Sequence, residues 1–220
     1  MKTSFMKSMK HEVRTPLNGI MGFSQLLASM YPEDEETRQM TNVILTQSSL
    51  LAKIVDDILE IADADTIKPK MEECPLDETI GEAMAMASQA ASPEVTFEYK
   101  PDSKCCVVTT DRKILQKILN KVLDNAAKFT PRGKVTVAVS HANGGLDIAV
   151  EDTGPGIPAD KAETVFEQFT KLDEFSQGTG MGLTLCRTLI QKLNGRIYVD
   201  TSYNGGCRIR INMPLKPRQQ

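Results

Sequence analysis

LDIAVEDTGPGIP, residues 146–158, is the stretch whose reading decides the fold. It opens as a short apolar strand and breaks after Asp152 into a loop holding Gly154, Pro155, Gly156 and Pro158. An acid at a strand end can accept a hydrogen bond from an amino group, and the two glycines let the backbone approach a flat ring closely. Taken alone, the segment reads more simply as an ordinary Gly-Pro turn, so its neighbours carry the decision.

Upstream, LDNAAKFT (123–130) closes a helix predicted over 111–129 and presents Asn125, Lys128 and Phe129. A carboxamide oxygen suits Mg²⁺, and Lys128, on a neighbouring face, can reach a phosphate. Capping and solvation are the plain alternative for both. Downstream, SQGTGMGL (176–183) opens a helix predicted over 181–194 and stopped by Gly195. Glycines 178, 180 and 182 set free N–H groups ahead of a positive helix N-terminus, which makes a phosphate cradle. The pattern is not a P-loop, because no GKS or GKT follows, and it is not a Rossmann fingerprint. A helix at 77–91 and strand-like runs at 94–99, 105–110, 134–140, 146–152, 196–202 and 207–213 complete the half. NGG turns at 143–145 and 204–206 join some of them, predicting one mixed sheet with helices on one face.

The first third has a different texture. Met6, Met9, Val13, Leu17, Ile20 and Leu27 recur at spacings of three and four, the mark of one helical stripe. After YPEDEET (31–37), Ile44, Leu51, Val55, Ile58 and Ala62 repeat the pattern, widened by Leu45, Ile54, Leu59 and Ile61. Two amphipathic helices joined by a short acidic turn make a hairpin too broadly apolar to stand alone. Two copies are expected to pair as a four-helix bundle; packing of the hairpin on its own chain is the alternative. IKPKMEECP (67–75) reads as a linker. The predicted fold class is therefore α+β: a dimerising helical hairpin over 1–66, a linker over 67–75, and an α/β sandwich over 76–216.

One of only two histidines lies on the first helix. At about 100° per residue, His11 falls roughly 160° from the centre of the apolar stripe, on the exposed side with Thr15 and Asn18. Glu12 places a carboxylate beside the imidazole, and Pro16 removes a backbone hydrogen bond where the helix can bend.

The totals exclude several classes. A net charge of -3 with 25% charged residues gives no general affinity for nucleic acid or anionic membrane. Five cysteines without a CxxC argue against zinc and against a disulfide framework, and favour free thiols in a reducing cytosol. No apolar run approaches the roughly 18 residues of a membrane helix. Helical sequence begins almost at Met1, so the chain reads as a cytoplasmic piece, with any sensor or membrane domain outside it.

Taken jointly and in order, these segments resemble the sensor histidine kinases of two-component signalling over nearly the whole chain. HEVRTPLNGI (11–20) is similar to their phosphoacceptor box. NAAKFT, DTGPGIP, VFEQFTKLDEF and GTGMGL are similar to their N, G1, F and G2 boxes. The second half resembles the Bergerat-type ATPases. The resemblance implies that His11 accepts the γ-phosphoryl group of ATP, that Glu12 acts as the neighbouring base, and that Thr15 positions water when a phosphorylated partner is hydrolysed. It implies Asn125 for Mg²⁺, Lys128 for a phosphate, Phe129 and Ile157 beside the base, and Asp152 for the adenine amino group, with Gly154 and Gly156 giving room. It also implies a mobile lid over 166–182, hinged at Phe166 and Phe169, with Lys171, Gly178, Thr179, Gly180, Gly182 and Leu183 at the nucleotide. The partners it implies are a second copy of the chain and the receiver domain of a response regulator, whose aspartate takes the phosphoryl group and whose phosphatase the kinase also becomes.

Two positions depart from the family pattern. Lys121 stands where a second asparagine is usual, four residues before Asn125, and a lysine cannot coordinate Mg²⁺. Lys10 replaces the usual serine before the histidine. On Lys121 rests the rival reading, a catalytically weak, nucleotide-binding dimeric scaffold. An ATPase of the topoisomerase or DNA-repair kind needs a carboxylate at that position and a basic stripe, and has neither.

Overall fold

The computed structural model of the chain describes residues 2–102, 107–142, 145–172 and 178–215, and the side chains of residues 2–12 and 142 fall outside that description. The side chains of His11 and Glu12, the strand start at 105–106, part of the first NGG turn, lid residues 173–177 and the domain end at 216 thus lie outside the described residues.

Helices α1 (Lys2–Met30) and α2 (Glu35–Ala64) fold back on each other as the apolar periodicity predicts. Glu35 and Glu36 in the first turn of α2 complement its positive end. The helix runs through Pro16 without ending. The seam buries Leu17 and Leu59 with the small polar side chains Ser24, Thr41 and Ser48. Arg14 donates to both carboxylate oxygens of Asp56 at 3.0 and 2.7 Å, which fixes the level at which the two helices pass. Ile20, Leu27, Ile44, Leu51 and Ile58 stay exposed, so the second half of the chain does not cover the outer stripe. Among the described residues no helix is long and apolar enough to cross a membrane.

The linker reading over 67–75 is corrected in part. Residues 72–75 form β1 (Glu72–Pro75), paired antiparallel with β3 (Val107–Thr110). Cys74 and Leu76 are fully buried, and the Lys70 N–H donates to Asp111 Oδ2 at 2.8 Å. Four residues ending in proline are too few for a period of two to stand out. The connection without regular structure therefore shrinks to 65–71.

The expectation of one sheet is corrected as well. Beside the β1–β3 pair lies a five-stranded sheet in the order β2-β4-β5-β7-β6. β2 (Val95–Lys100) runs parallel to β4 (Gly133–Ala142). β5 (Gly145–Asp152), β7 (Cys207–Pro214) and β6 (Arg196–Val199) continue it antiparallel. α3 (Leu76–Ala90), α4 (Arg112–Phe129) and α5 (Gly182–Lys192) share one core with the sheet. Along β7, Cys207, Ile209, Ile211 and Met213 enter that core. Arg208, Arg210 and Asn212 alternate with them on the other face, where Arg208 pairs with Glu151 and Asp200, and Arg210 with Asp147 and Asp200. Asp111 caps α4 by accepting the Ile114 N–H at 3.0 Å. α5 packs on α2, and Lys192 Nζ donates to the Asp65 carbonyl at 2.7 Å. The sandwich is therefore docked on the hairpin's second helix.

Candidate active site

The C-terminal end of α4, the end of β5 and the loops around 155–158 and 170–182 enclose a cleft of about 570 Å³. Its apolar part is made by Phe129, Val150, Ile157 and Ile209, with Leu183 at the start of α5. Its polar part holds Asn125, Lys128, Lys171 and the glycine loop. A flat apolar slot opening onto cations and free N–H groups fits a nucleoside phosphate.

Asp152 ends β5 and is buried against the slot. Its Oδ1 accepts the Gly154 N–H at 2.8 Å and the Cys207 N–H at 3.4 Å, so the carboxylate is fixed and Oδ2 keeps acceptor capacity for a ligand. Burial pushes the Asp152 pKa up, and the two N–H groups partly offset this. Burial likewise drives the Cys207 thiol up to about 12, so it lines the slot as an inert apolar group. Gly156 lines the slot at φ +77°. Gly154 does not: a side chain there would meet the Phe129 carbonyl and Asp152, so this glycine makes room for the protein's own backbone.

At the polar end, Lys128 Nζ lies 4.5 Å from the centre of the Phe129 ring. A Cβ at Gly178 would stand 3.0 Å from the same ammonium, so the glycine loop closes over it. Partial desolvation lowers the Lys128 pKa, and the neighbouring Lys53 and Lys171 lower it further. Gly180 has φ +72°, and its backbone packs against Thr170. The two phenylalanines expected at the lid hinge separate. Phe166 is core, with Arg187 5.2 Å from its ring centre, while Phe169 is exposed at φ +61°.

The helical hairpin supplies the wall that the sequence reading missed. Lys53 and Asp57 of α2 both line the cleft. Asp57, 5% exposed, accepts from Lys121 Nζ at 3.3 Å and from the Thr179 hydroxyl. Lys121 also reaches Glu60 at 3.7 Å. Burial works against the Lys121 ammonium, but Asp57 and Glu60 more than offset it and leave its pKa raised. Thr179, expected at the triphosphate, thus gives its hydroxyl to α2. Thr15 is exposed on α1, as its helical phase predicts. The local signal for Asp57 is faint: one turn away on its face lie Lys53 and Glu60 as well as Ile54 and Ile61, which reads as an ordinary mixed face.

Residues 110–217 match the family model described as the histidine kinase-, DNA gyrase B- and HSP90-like ATPase. Residues 1–67 match that of the His Kinase A (phospho-acceptor) domain. The chain is 31% identical over 233 residues to hybrid signal transduction histidine kinase A of Dictyostelium discoideum, covering 97% of this chain and 11% of that protein. It is 30% identical over 239 residues to the autoinducer 2 sensor kinase/phosphatase LuxQ of Vibrio harveyi, covering 100% of this chain and 27% of that one. The chain therefore spans a small part of these relatives. Among solved structures, full-length ShkA in complex with AMPPNP superposes with a TM-score of 0.76 at 25% identity, over 96% of this chain and 46% of that one.

Proposed function

Because the chain belongs to the histidine kinases, we propose that it is an ATP-dependent autokinase whose C-terminal unit binds ATP and whose hairpin receives the γ-phosphoryl group on His11. The observation that carries this reading is the level at which the cleft meets the hairpin. α2 faces the cleft with Lys53 and Asp57, and α1 passes α2 at Arg14–Asp56, one helical turn from residue 11. Among the described residues α1 lends none to the cleft lining, so the chain at 65–71 would be the joint that brings donor and acceptor helix together.

In this reading Asp152 accepts the adenine amino group, Phe129 and Ile157 flank the ring, and Lys128 with the loop from Gly178 to Gly182 holds the phosphates. Glu12 keeps the proton on one imidazole nitrogen while the other attacks phosphorus; the bond to the ADP oxygen breaks and ADP leaves. Mg²⁺, when bound, supplies charge neutralisation on the phosphate oxygens. Among the described residues no three His, Cys, Asp or Glu side chains form a metal cage, so Asn125 would share the ion with phosphates and water. The phosphoryl group then passes to an aspartate of a response-regulator receiver domain, and Thr15 orients water when the same surface removes it. The sensor kinase/phosphatase title of one relative supports pairing these two activities. The exposed stripe of α1 and α2 supports a homodimeric bundle.

The scaffold alternative rested on Lys121. Its charge is met by Asp57 and Glu60, so it adds no uncompensated repulsion near Asn125. It supplies no ligand either, and Asn125 would be the one side chain of that helix face to hold the ion. Incubation with labelled ATP and Mg²⁺ tests the reading. The expected product is an acid-labile, base-stable label on the chain, lost in Asn125→Ala. Tight ATP binding without label would leave only the scaffold.

A further inference from the structure

Lys53 belongs to α2, outside the ATP-binding unit, yet it lines the same cleft as Lys128 and Lys171. α2 is held there by several contacts. Asp57 takes Lys121 at 3.3 Å and the Thr179 hydroxyl, Glu60 takes Lys117 at 3.3 Å, and the Asp65 carbonyl takes Lys192 at 2.7 Å. The lysines of this seam divide into two groups. Lys117 and Lys121 are met by carboxylates of α2. Lys53 and Lys128 have no carboxylate partner among the described residues. Lys53 lies close enough to Lys128 to disfavour its charge, and Lys171 does the same from the lid.

Cations gathered at one end of a cleft, beside backbone N–H groups of a glycine loop, favour a multiply charged anion between them. A solvated lysine at the rim is the plainer account of Lys53, which is exposed, but its place in the lining of the same cleft as Lys128 and the glycine loop favours a role toward the ligand. We propose that Lys53 is a phosphate-binding residue contributed by the helical hairpin. With the two units docked as they are here, its ammonium reaches the terminal phosphate of the bound nucleotide. α2 then completes the site and distinguishes a triphosphate from a diphosphate. The inference rests on the ATP reading above and adds to it the residue that makes the site composite.

Calorimetric titration of the whole chain with Mg²⁺ and either a β,γ-imido ATP analogue or ADP tests it. Lys53→Gln should weaken the analogue about tenfold, as loss of one charge-assisted contact does, and shift ADP by about twofold or less. Lys53→Arg should restore most of the preference for the triphosphate. An unchanged ratio of the two affinities, or an equal loss of both, overturns the proposal. Binding of neither nucleotide by the unaltered chain overturns the ATP reading and the proposal with it.

Discussion

Gly178, Gly180 and Gly182 alternate in one loop, but they are not equivalent. Gly180 adopts φ +72°, and a Cβ there would lie 2.7 Å from the Thr170 carbonyl. Gly182 begins α5 with nothing nearer than Lys121 Cδ at 4.0 Å. Left-handed geometry costs an ordinary residue about 1–2 kcal/mol, and the contact with Thr170 must also shift. Gly180→Ala should therefore weaken nucleotide binding about tenfold while the melting temperature moves by only a few degrees. Gly182→Ala keeps the backbone N–H and meets no protein atom nearer than 4.0 Å, so its loss of affinity should be smaller than that of Gly180→Ala. Equal losses in a titration of the two variants would contradict this distinction. The sequence showed that this loop suits phosphate, because repeated glycines before a helix expose N–H groups. It did not show which glycine the backbone requires, because Thr170 meets Gly180 only through the folded lid. Gly154 makes the same point: its Phe129 contact is tertiary, so its glycine was assigned to the ligand.

Among the elements, α2 carries two jobs that periodicity separates poorly. One side packs on α1, and the other docks on α4, α5 and the glycine loop through Asp57. Removing the carboxylate should free that seam. In Asp57→Ala, amide exchange in residues 178–182 should speed up about tenfold or more, corresponding to roughly 1.4 kcal/mol of lost protection. Exchange unchanged from the parent chain would mean that other contacts set the docking. Helices and long strands were readable because apolar residues repeat at their own periods. Asp57 meets partners 64 and 122 residues away in the sequence, and no local pattern encodes such a pairing. β1 was missed for a different reason, since its four residues gain strand character only by pairing with β3.

At the scale of the molecule, the exposed stripe is the feature that a single copy leaves unexplained. Leu27 and Leu51 lie on it at 43% and 47% exposure, while the hairpin seam beneath is already filled. Leu27→Glu combined with Leu51→Glu should convert the chain from two copies to one in sedimentation at micromolar concentration, with the sandwich still folded. An unaltered chain that sediments as one copy would contradict the bundle. The division into hairpin and sandwich was legible because the two halves follow different periods. Their docking was not, since the apolar stripes of α2 are compatible with either a second copy or the chain's own sandwich. What unites the halves is the claim that the cleft supplies a phosphoryl group to the hairpin. Mass spectrometry of the whole chain after incubation with Mg²⁺ and ATP, kept at neutral to basic pH, tests that claim most directly. The account predicts one added phosphoryl group per chain, carried by the peptide containing His11 and absent from His11→Gln; phosphorylation elsewhere, or its persistence in that variant, would contradict it.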